Sequence, residues 1–537
     1  MQTIVRRIQT HSVFSTVNIM RRKIIGLKMG NVLLAQLSFI ISVICPPTAI
    51  VAFSPLHNPR KRSDLISHTI WDNSPQNQVP FINHRSTFLM SSSLISPNPT
   101  ATPSTNHKFK IRTITAFVKI DASDLQSKDG KSSSKTILDS KIATCANLLQ
   151  NLQSQFEKQN YEVQTVRIAT NPFAEYLLIN DDPLDVDKKS QVQDRLQQLD
   201  SLLAQHDIQF CSLGPSKDPI HTRQICPMII ESSPRFSCSA DVSAIDLDAA
   251  EAAAECILTV SHLESKNYLM GGLGNFRFCS ASSCRNFIPF FPGAKCESLY
   301  ENKESSIFPK TSVGFALGLE NGELIHDLLS QSKSISNIKS TFGQGIVDAF
   351  DPLEKICENF VNEYSSQSNI DSDYSFTYLG IDNSLNPSLS HDGSIAKAIE
   401  TLDEVQIPFG EQGTLAAAAA ITTTLQSLPL KLTGYCGLML PVCEDQRLSE
   451  LGKNSQLTIS QLLCISSVCG VGVDTVPVPG DLKKEKLQGS ILDVAALASR
   501  WDKSLSCRVF PVPDLKAGDI TDFDSPHLCN SCVFNMS

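Results

Sequence analysis

Two parts of the sequence concentrate residues able to do chemistry. In "PFGEQGTLAAAAAITTTLQSL", Gly410 and Gly413 flank Glu411 and Gln412, and an alanine-rich run opens at Thr414. A glycine-bearing loop feeding a helix N-terminus presents unpaired N–H groups to an anion, which suits a carboxylate or phosphate ligand. The plainer use is an ordinary helix start, with Glu411 favouring the dipole. The Gly-Lys-Ser/Thr of a P-loop does not follow. The second concentration, "VCEDQ" and "VGVDTVPVPGD", carries Glu444, Asp445, Asp474 and Asp481 to strand ends or their loops. Carboxylates at such mouths serve as general bases or hold a hard cation; otherwise they cap loops or pair at the surface. "YLGIDNSLNPS" adds Asp382 and Asn383, and "GNFRF" offers Arg277 as a bidentate partner for a substrate carboxylate. The catalytic set to expect is Glu411, Asp474 and Tyr435. Arg277, Asp382, Asn383, Gly410, Gln412, Gly413, Thr414, Glu444 and Asp445 would surround a small anionic metabolite. The alternative is a ligand-binding or regulatory protein without catalysis.

Other chemistries find little support. "CNSC" has C-x-x-C spacing at Cys529 and Cys532, which is half a zinc site, a redox-sensitive pair or part of a disordered tail. No H-E-x-x-H, G-x-S-x-G or complete G-x-G-x-x-G occurs, so metalloprotease, serine hydrolase and dinucleotide readings have no motif. No metal site is predicted, and the sequence names no cofactor.

These residues need elements to hold them. "KIRTITAFVKI" is rich in β-branched residues and reads as a strand. Residues 136–158 place Ile137, Ile142, Cys145, Leu148, Leu149 and Leu152 at helical spacing. "YEVQTVRIA", "DIQFCSL", "FRFCSAS" and "TSVGFALGL" read as further strands. Helical runs fall near 189–205, 247–264, 322–332, 343–364 and 393–405, the last opened by Asp392 as N-cap. Strand and helix in alternation predict a mostly parallel α/β sheet with right-handed crossovers. One large domain over 109–524 is expected, with a tail at 525–537.

The chain has 537 residues, 41% hydrophobic and 19% charged, enough for a large core. Its net charge of −9 is unevenly distributed. Residues 1–108 hold two acids, Asp64 and Asp72, against eleven Lys and Arg, whereas the remainder carries 35 basic and 53 acidic residues. So acidic a body lacks the cationic surface that phosphate backbones require, and nucleic acid is not an expected partner. The 17 cysteines are expected mainly as buried apolar fillers.

Residues 1–108 read as a targeting leader and a basic linker. Arg21, Arg22, Lys23 and Lys28 precede the apolar "VLLAQLSFIISVI", and "PPTAIVA" offers cleavage after Ala52. The apolar run is short, is interrupted by Asn31 and Gln36 and breaks at Pro46–Pro47, so no stable membrane span is expected. The Ser/Thr/Asn/Pro-rich stretch after "FSPL" has transit-peptide composition. Together these resemble the bipartite leader of algae with secondary plastids. A plastid address is expected, the secretory route being the alternative.

Two family resemblances remain. "KLTGYCG" resembles the loop on which glycyl radical enzymes carry their radical, but Lys431 and Cys436 replace the usual arginine and small residue. Gly434 and Gly437 are expected only to permit a tight passage of the chain. More broadly, "KIRTITAFV", "NFRFCSASSCRNFIPFFPGA", "FALGLENGELI", "FGEQGTLAAAAAI", "TGYCGLMLPVCED", "CGVGVDTVPVPGD" and "RVFPVPDLKAGDITDF" resemble, in order, the domain of unknown function 711 family. That resemblance implies a ten-stranded α/β barrel of the pyruvate formate-lyase-like type, built from two five-stranded halves, in a chain that pairs as a homodimer. It transfers no catalytic residue.

Overall fold

The structure, a computed structural model, describes residues 107–125, 136–178, 185–244, 246–297, 311–366 and 374–536. The leader expected at 1–108 therefore lies outside the described residues, save for His107 and Lys108. Among the described residues no helix is long and apolar enough to cross a membrane.

The strands are β1 (Lys110–Val118), β2 (Val166–Ala169), β3 (Phe210–Ser216), β4 (Phe236–Asp241), β5 (Phe278–Ser282), β6 (Thr311–Glu320), β7 (Tyr374–Asp382), β8 (Gly472–Pro479) and β9 (Leu505–Val512). They form one nine-stranded sheet in the order β7-β6-β1-β2-β3-β4-β5-β9-β8. β1 to β5 run parallel in sequence order. β6 joins β7, and β8 joins β9, also in parallel. The two groups meet antiparallel at β1–β6 and β5–β9. Beyond the named strands, isolated parallel bridges tie Leu432 to Ile381, Leu438 to Leu385 and Pro441 to Asp474.

Between the strands run α1 (Ile137–Lys158), α2 (Val186–Gln205), α3 (Leu247–Ser261), α4 (Gly322–Ser332), α5 (Gly343–Ser365), α6 (Thr414–Gln426), α7 (Gln446–Lys453), α8 (Ile459–Ser466) and α9 (Lys484–Trp501). α1 shows why they form. The Thr136 side chain accepts from Asp139 N at 3.1 Å, satisfying one free N–H of the first turn. Leu138, Ile142, Cys145, Leu149, Leu152 and Phe156 then repeat every three or four residues and are all buried. Burying each large side chain stabilises by about 1.5–3 kcal/mol, an upper estimate because the unfolded chain is itself compact.

Both faces of the sheet are covered, which is why its strands are buried almost throughout, polar residues such as Thr113, Thr115, Ser237 and Ser239 included. Ile114, Ala116 and Val118 pack in the main core with Ile168, Cys211 and residues of the helices. Phe117, one step along β1, points the other way and packs with Ala169, Ala294 and Cys296. That second face is filled by residues 284–297. Thr115 Oγ1 donates to Pro289 O and Ser212 Oγ to Ala294 O, each at 2.8 Å, and Cys296 N donates to Thr170 O at 2.9 Å.

Several expectations change. The helix expected over 393–405 shrinks to Ile395–Ile399. Its cap is Ser394, which accepts from Lys397 N, whereas Asp392 bonds to Lys397 Nζ at 2.7 Å. The strand read at 161–169 contracts to β2, and β4 ("FSCSAD"), too polar to attract notice, is a full central strand. The tail from residue 525 is packed. Phe534 N donates to Pro477 O and Cys529 N to Cys443 O, and Leu528, Val533 and Phe534 are buried. Cys529 and Cys532 are both free thiols. All the described cysteines except Cys464 and Cys529 are buried, as fillers would be.

Candidate active site

Two irregularities in the sheet create the site. Between Ile111 and Thr113 the β1–β6 register shifts, and Arg112 occupies the bulge. In the β8–β9 pairing Val473 faces Cys507 and Val476 faces Val509, so Asp474 and Thr475 together stand opposite Arg508. A bulge adds a residue to one strand and re-aims the neighbouring side chains. Here each places a charged group against a cavity of about 490 Å³.

At one pole of the cavity Arg508 is buried between two carboxylates. Its Nε and Nη2 donate to Asp474 Oδ1 and Oδ2 at 2.5 and 3.1 Å, and Nη2 also donates to Glu444 Oε1 at 3.0 Å. Nη1 donates to Phe276 O at 3.2 Å. Burial opposes the charge on Arg508, but Asp474 and Glu444 outweigh it and raise its pKa. Glu444 is raised as well, by burial first and by Asp474, against the pull of Arg508, Arg112 and Arg167. Arg112 is paired on its other side: Nη1 donates to Glu320 Oε2 at 2.9 Å and Gln164 Oε1 at 3.0 Å, and Nη2 stands 4.0 Å from Glu444 Oε2.

The other pole is Arg167. Its Nε donates to Thr165 Oγ1 at 2.9 Å, and the same hydroxyl donates to Arg112 O at 2.7 Å. One guanidinium face lies 5.3 Å from the ring of Phe210, its register partner on β3, and the ring of Phe291 from the 284–297 segment lies at 5.2 Å. No carboxylate pairs with it, and neither Nη group has a partner among the described residues. Burial, reinforced by Arg112 and Arg508, pushes its pKa down to about 9. His527, exposed at the rim of the cavity, is lowered by partial loss of solvent, then by Arg112 and Arg167.

Four of the residues expected from sequence line this cavity: Arg277, Tyr435, Glu444 and Asp474. Arg277, however, is already engaged. Nη1 donates to Ser233 O and Phe236 O at 2.7 and 2.8 Å, Nη2 to Ile230 O at 2.9 Å, and Tyr268 covers it at 5.0 Å. It closes the carbonyl end of a short helix, Cys226–Ser232, and offers a ligand little. Burial raises the Tyr435 pKa, so it stands as a phenol; its hydroxyl sits over Gly293, where a Cβ would come within 2.6 Å.

The other expected residues lie elsewhere. Glu411 and Gln412 are exposed and do not join Asp474. The loop around them consumes its own donors: Gly410 N donates to Thr414 Oγ1, Glu411 N to Pro408 O and Thr414 N to Glu411 O, and Gly413 takes the N-cap of α6 at φ 92°. Asp445 is a double cap, accepting from Leu448 N at the start of α7 and from Ser394 Oγ and Ile395 N. Asp382 is buried beneath the site and accepts from Tyr435 N, Cys436 N, Ser384 N and Ser384 Oγ at 2.6–3.1 Å. Asn383 donates to Leu425 O. Gly434 turns at φ 92° directly on Asp382, where any Cβ would meet Oδ2 at 2.1 Å. Among the described residues no three His, Cys, Asp or Glu side chains converge as metal ligands.

Sequence reasoning missed Arg112, Arg167, Arg508 and His527. The signal was present for the arginines. "IRTITAF", "TVRIA" and "SCRVFP" each set one arginine among apolar or neutral strand residues, and a charge there needs either a partner or a ligand.

A model of the family described as Uncharacterised ACR (DUF711) matches residues 104–525. A UPF0210 protein of Pyrobaculum islandicum is 24% identical over 376 residues, covering 67% of this chain and 76% of the relative. UPF0210 proteins of Lacticaseibacillus paracasei and Clostridium perfringens are each 32% identical over 147 residues, 27% of this chain and 32% of each relative's length.

Proposed function

The chain belongs to the DUF711 family, and on that footing we propose that it binds a small organic anion in the cavity and moves a proton on it. The observation carrying this reading is Arg167, a half-buried guanidinium facing the cavity whose Nη groups have no partner among the described residues. Planar N–H pairs of that kind match a carboxylate or phosphate edge in bidentate fashion. Phe276, Phe290 and Met439 give the ligand an apolar wall. Glu444 is the proton carrier. Its raised pKa brings it towards working pH, and Arg508 with Asp474 fixes its position. Binding without catalysis would use the same cavity; what favours proton transfer is the raised Glu444 carboxyl.

The same proposal includes a closed ten-stranded ring of the pyruvate formate-lyase-like type, with residues 432–441 as the strand between β7 and β8. Supporting it are the three isolated bridges to Ile381, Leu385 and Asp474, two on one edge and one on the other. Homodimer pairing and plastid delivery belong to the proposal on the family resemblance and on leader composition.

The test is thermal unfolding of the full chain with inorganic phosphate and a panel of small carboxylates. A ligand at about 100 times its Kd should stabilise by about 2.7 kcal/mol, and the effect should vanish in Arg167→Met. If no acid or phosphate raises the melting temperature, the reading fails.

A further inference from the structure

Resting on that reading of Arg167 as the anchor, we propose that the ligand is a hydroxy or amino acid: a carboxylic acid carrying a hydroxyl or ammonium donor close to the carboxylate, with an apolar remainder. The inference comes from what a plain acid would leave unsatisfied. Glu444 is held by one oxygen only. Oε1 accepts from Arg508, whereas Oε2 stands 4.0 Å from Arg112 Nη2 and accepts no hydrogen bond among the described residues. It therefore faces the cavity as a free acceptor. Ser237 on β4 also lines the cavity, and its enclosed hydroxyl has no partner among the described residues.

The acceptor and the anchor are neighbours. Arg112 approaches Glu444 with its guanidinium and shares the Thr165 hydroxyl with Arg167 through its carbonyl. A molecule small enough for about 490 Å³ can thus place a carboxylate on the Arg167 Nη pair and a donor on Glu444 Oε2. An acid without the donor satisfies Arg167 but excludes water from Glu444 Oε2 without replacing it. Sites built around a ligand's hydroxyl or amine discriminate strongly against analogues that lack it, because their own buried groups are then unpaired.

The experiment is calorimetric titration of the full chain with matched acids on phenyl and isobutyl scaffolds: the plain acid, its 2- and 3-hydroxy forms and its 2-amino form. Inorganic phosphate serves as an independent probe of Arg167. At least one donor-bearing acid should bind tenfold or more tightly than its plain counterpart. That advantage should fall to threefold or less in Glu444→Ala, and Glu444→Gln, which keeps an acceptor oxygen without the charge, should retain it for the hydroxy acid but not for the amino acid. Equal affinities across each matched set would overturn this inference and leave the anion site standing. Failure of every acid and of phosphate would overturn both.

Discussion

Arg167→Met should make the ligand-free protein more stable while removing its anion binding. The drop of the Arg167 pKa to about 9 corresponds to roughly 4–5 kcal/mol held against the charged form, at about 1.4 kcal/mol per tenfold. The side chain is half-buried and faces the cavity, so solvent screening reduces this to about 2 kcal/mol. Methionine loses two cation–π contacts, to Phe210 and Phe291, together about 1 kcal/mol. It regains a similar amount by setting a thioether against the same rings. A net gain of about 1–2 kcal/mol remains. Because 1 kcal/mol moves a domain of 150–250 residues by about 2–4 °C and this one is larger, the expected rise is about 1–3 °C. The pH dependence has a definite sign. A base whose folded pKa lies below its unfolded value carries its full penalty below the folded pKa and sheds it as pH rises beyond. The advantage of the methionine variant should therefore be complete at pH 7–8 and shrink above about 9. Urea unfolding of both proteins across that range measures it, with phosphate added in a second series that should stabilise only the wild type. A variant less stable than wild type by 1 kcal/mol or more, without ligand, would mean that Arg167 is a structural cation and would refute the reasoning.

Two further substitutions probe the supports of the site. Gly434→Ala combines a φ of 92° with a Cβ 2.1 Å from Asp382 Oδ2, and should cost about 2–4 kcal/mol in chemical denaturation; a cost below about 0.5 kcal/mol would show that the 434–437 turn can move off its carboxylate. Phe534→Ala removes a buried ring seated where Gly452 leaves room, and should cost about 3–5 kcal/mol and expose the C-terminal segment to protease; unchanged stability would return that segment to the disordered tail expected from its sequence.

What could be read in the sequence was whatever depends on periodicity. The spacing of Ile142, Cys145, Leu149 and Leu152 marks α1, and the apolar runs mark β1, β3, β5 and β6, because helix and strand burial leave regular traces. The site was less legible because it is made where regularity breaks. Nothing in "KIRTIT" announces a register shift at Arg112, and nothing in "GVDTV" says that Asp474 and Thr475 share one partner. Glu411 misled for a related reason. Glycines around an acid before a helix suggest an anion loop, but the turn consumes its own donors, Gly410 N going to Thr414. Arg277 misled because carbonyls 41 to 47 positions away take its guanidinium, a contact fixed by tertiary structure alone.

The charged contacts also constrain the shape of the sheet. Glu444 Oε1 lies 3.0 Å from Arg508 on β9, and Oε2 lies 4.0 Å from Arg112 on β1. Counted along the sheet through β2, β3, β4 and β5, those strands are five steps apart. At about 4.8 Å per step a flat sheet would separate them by about 24 Å, and arginine side chains standing roughly perpendicular to it would not converge on one carboxylate. The sheet therefore curves between β1 and β9, bringing both arginines to the one carboxylate. Twist alone supplies such curvature only partly, and the register shift between Ser212 and Pro215 in the β3–β4 pairing lies within that span. The irregularities that hid the site from the sequence, at Arg112 and at Asp474–Thr475, stand at the two ends of that span and turn their charged groups towards the one cavity.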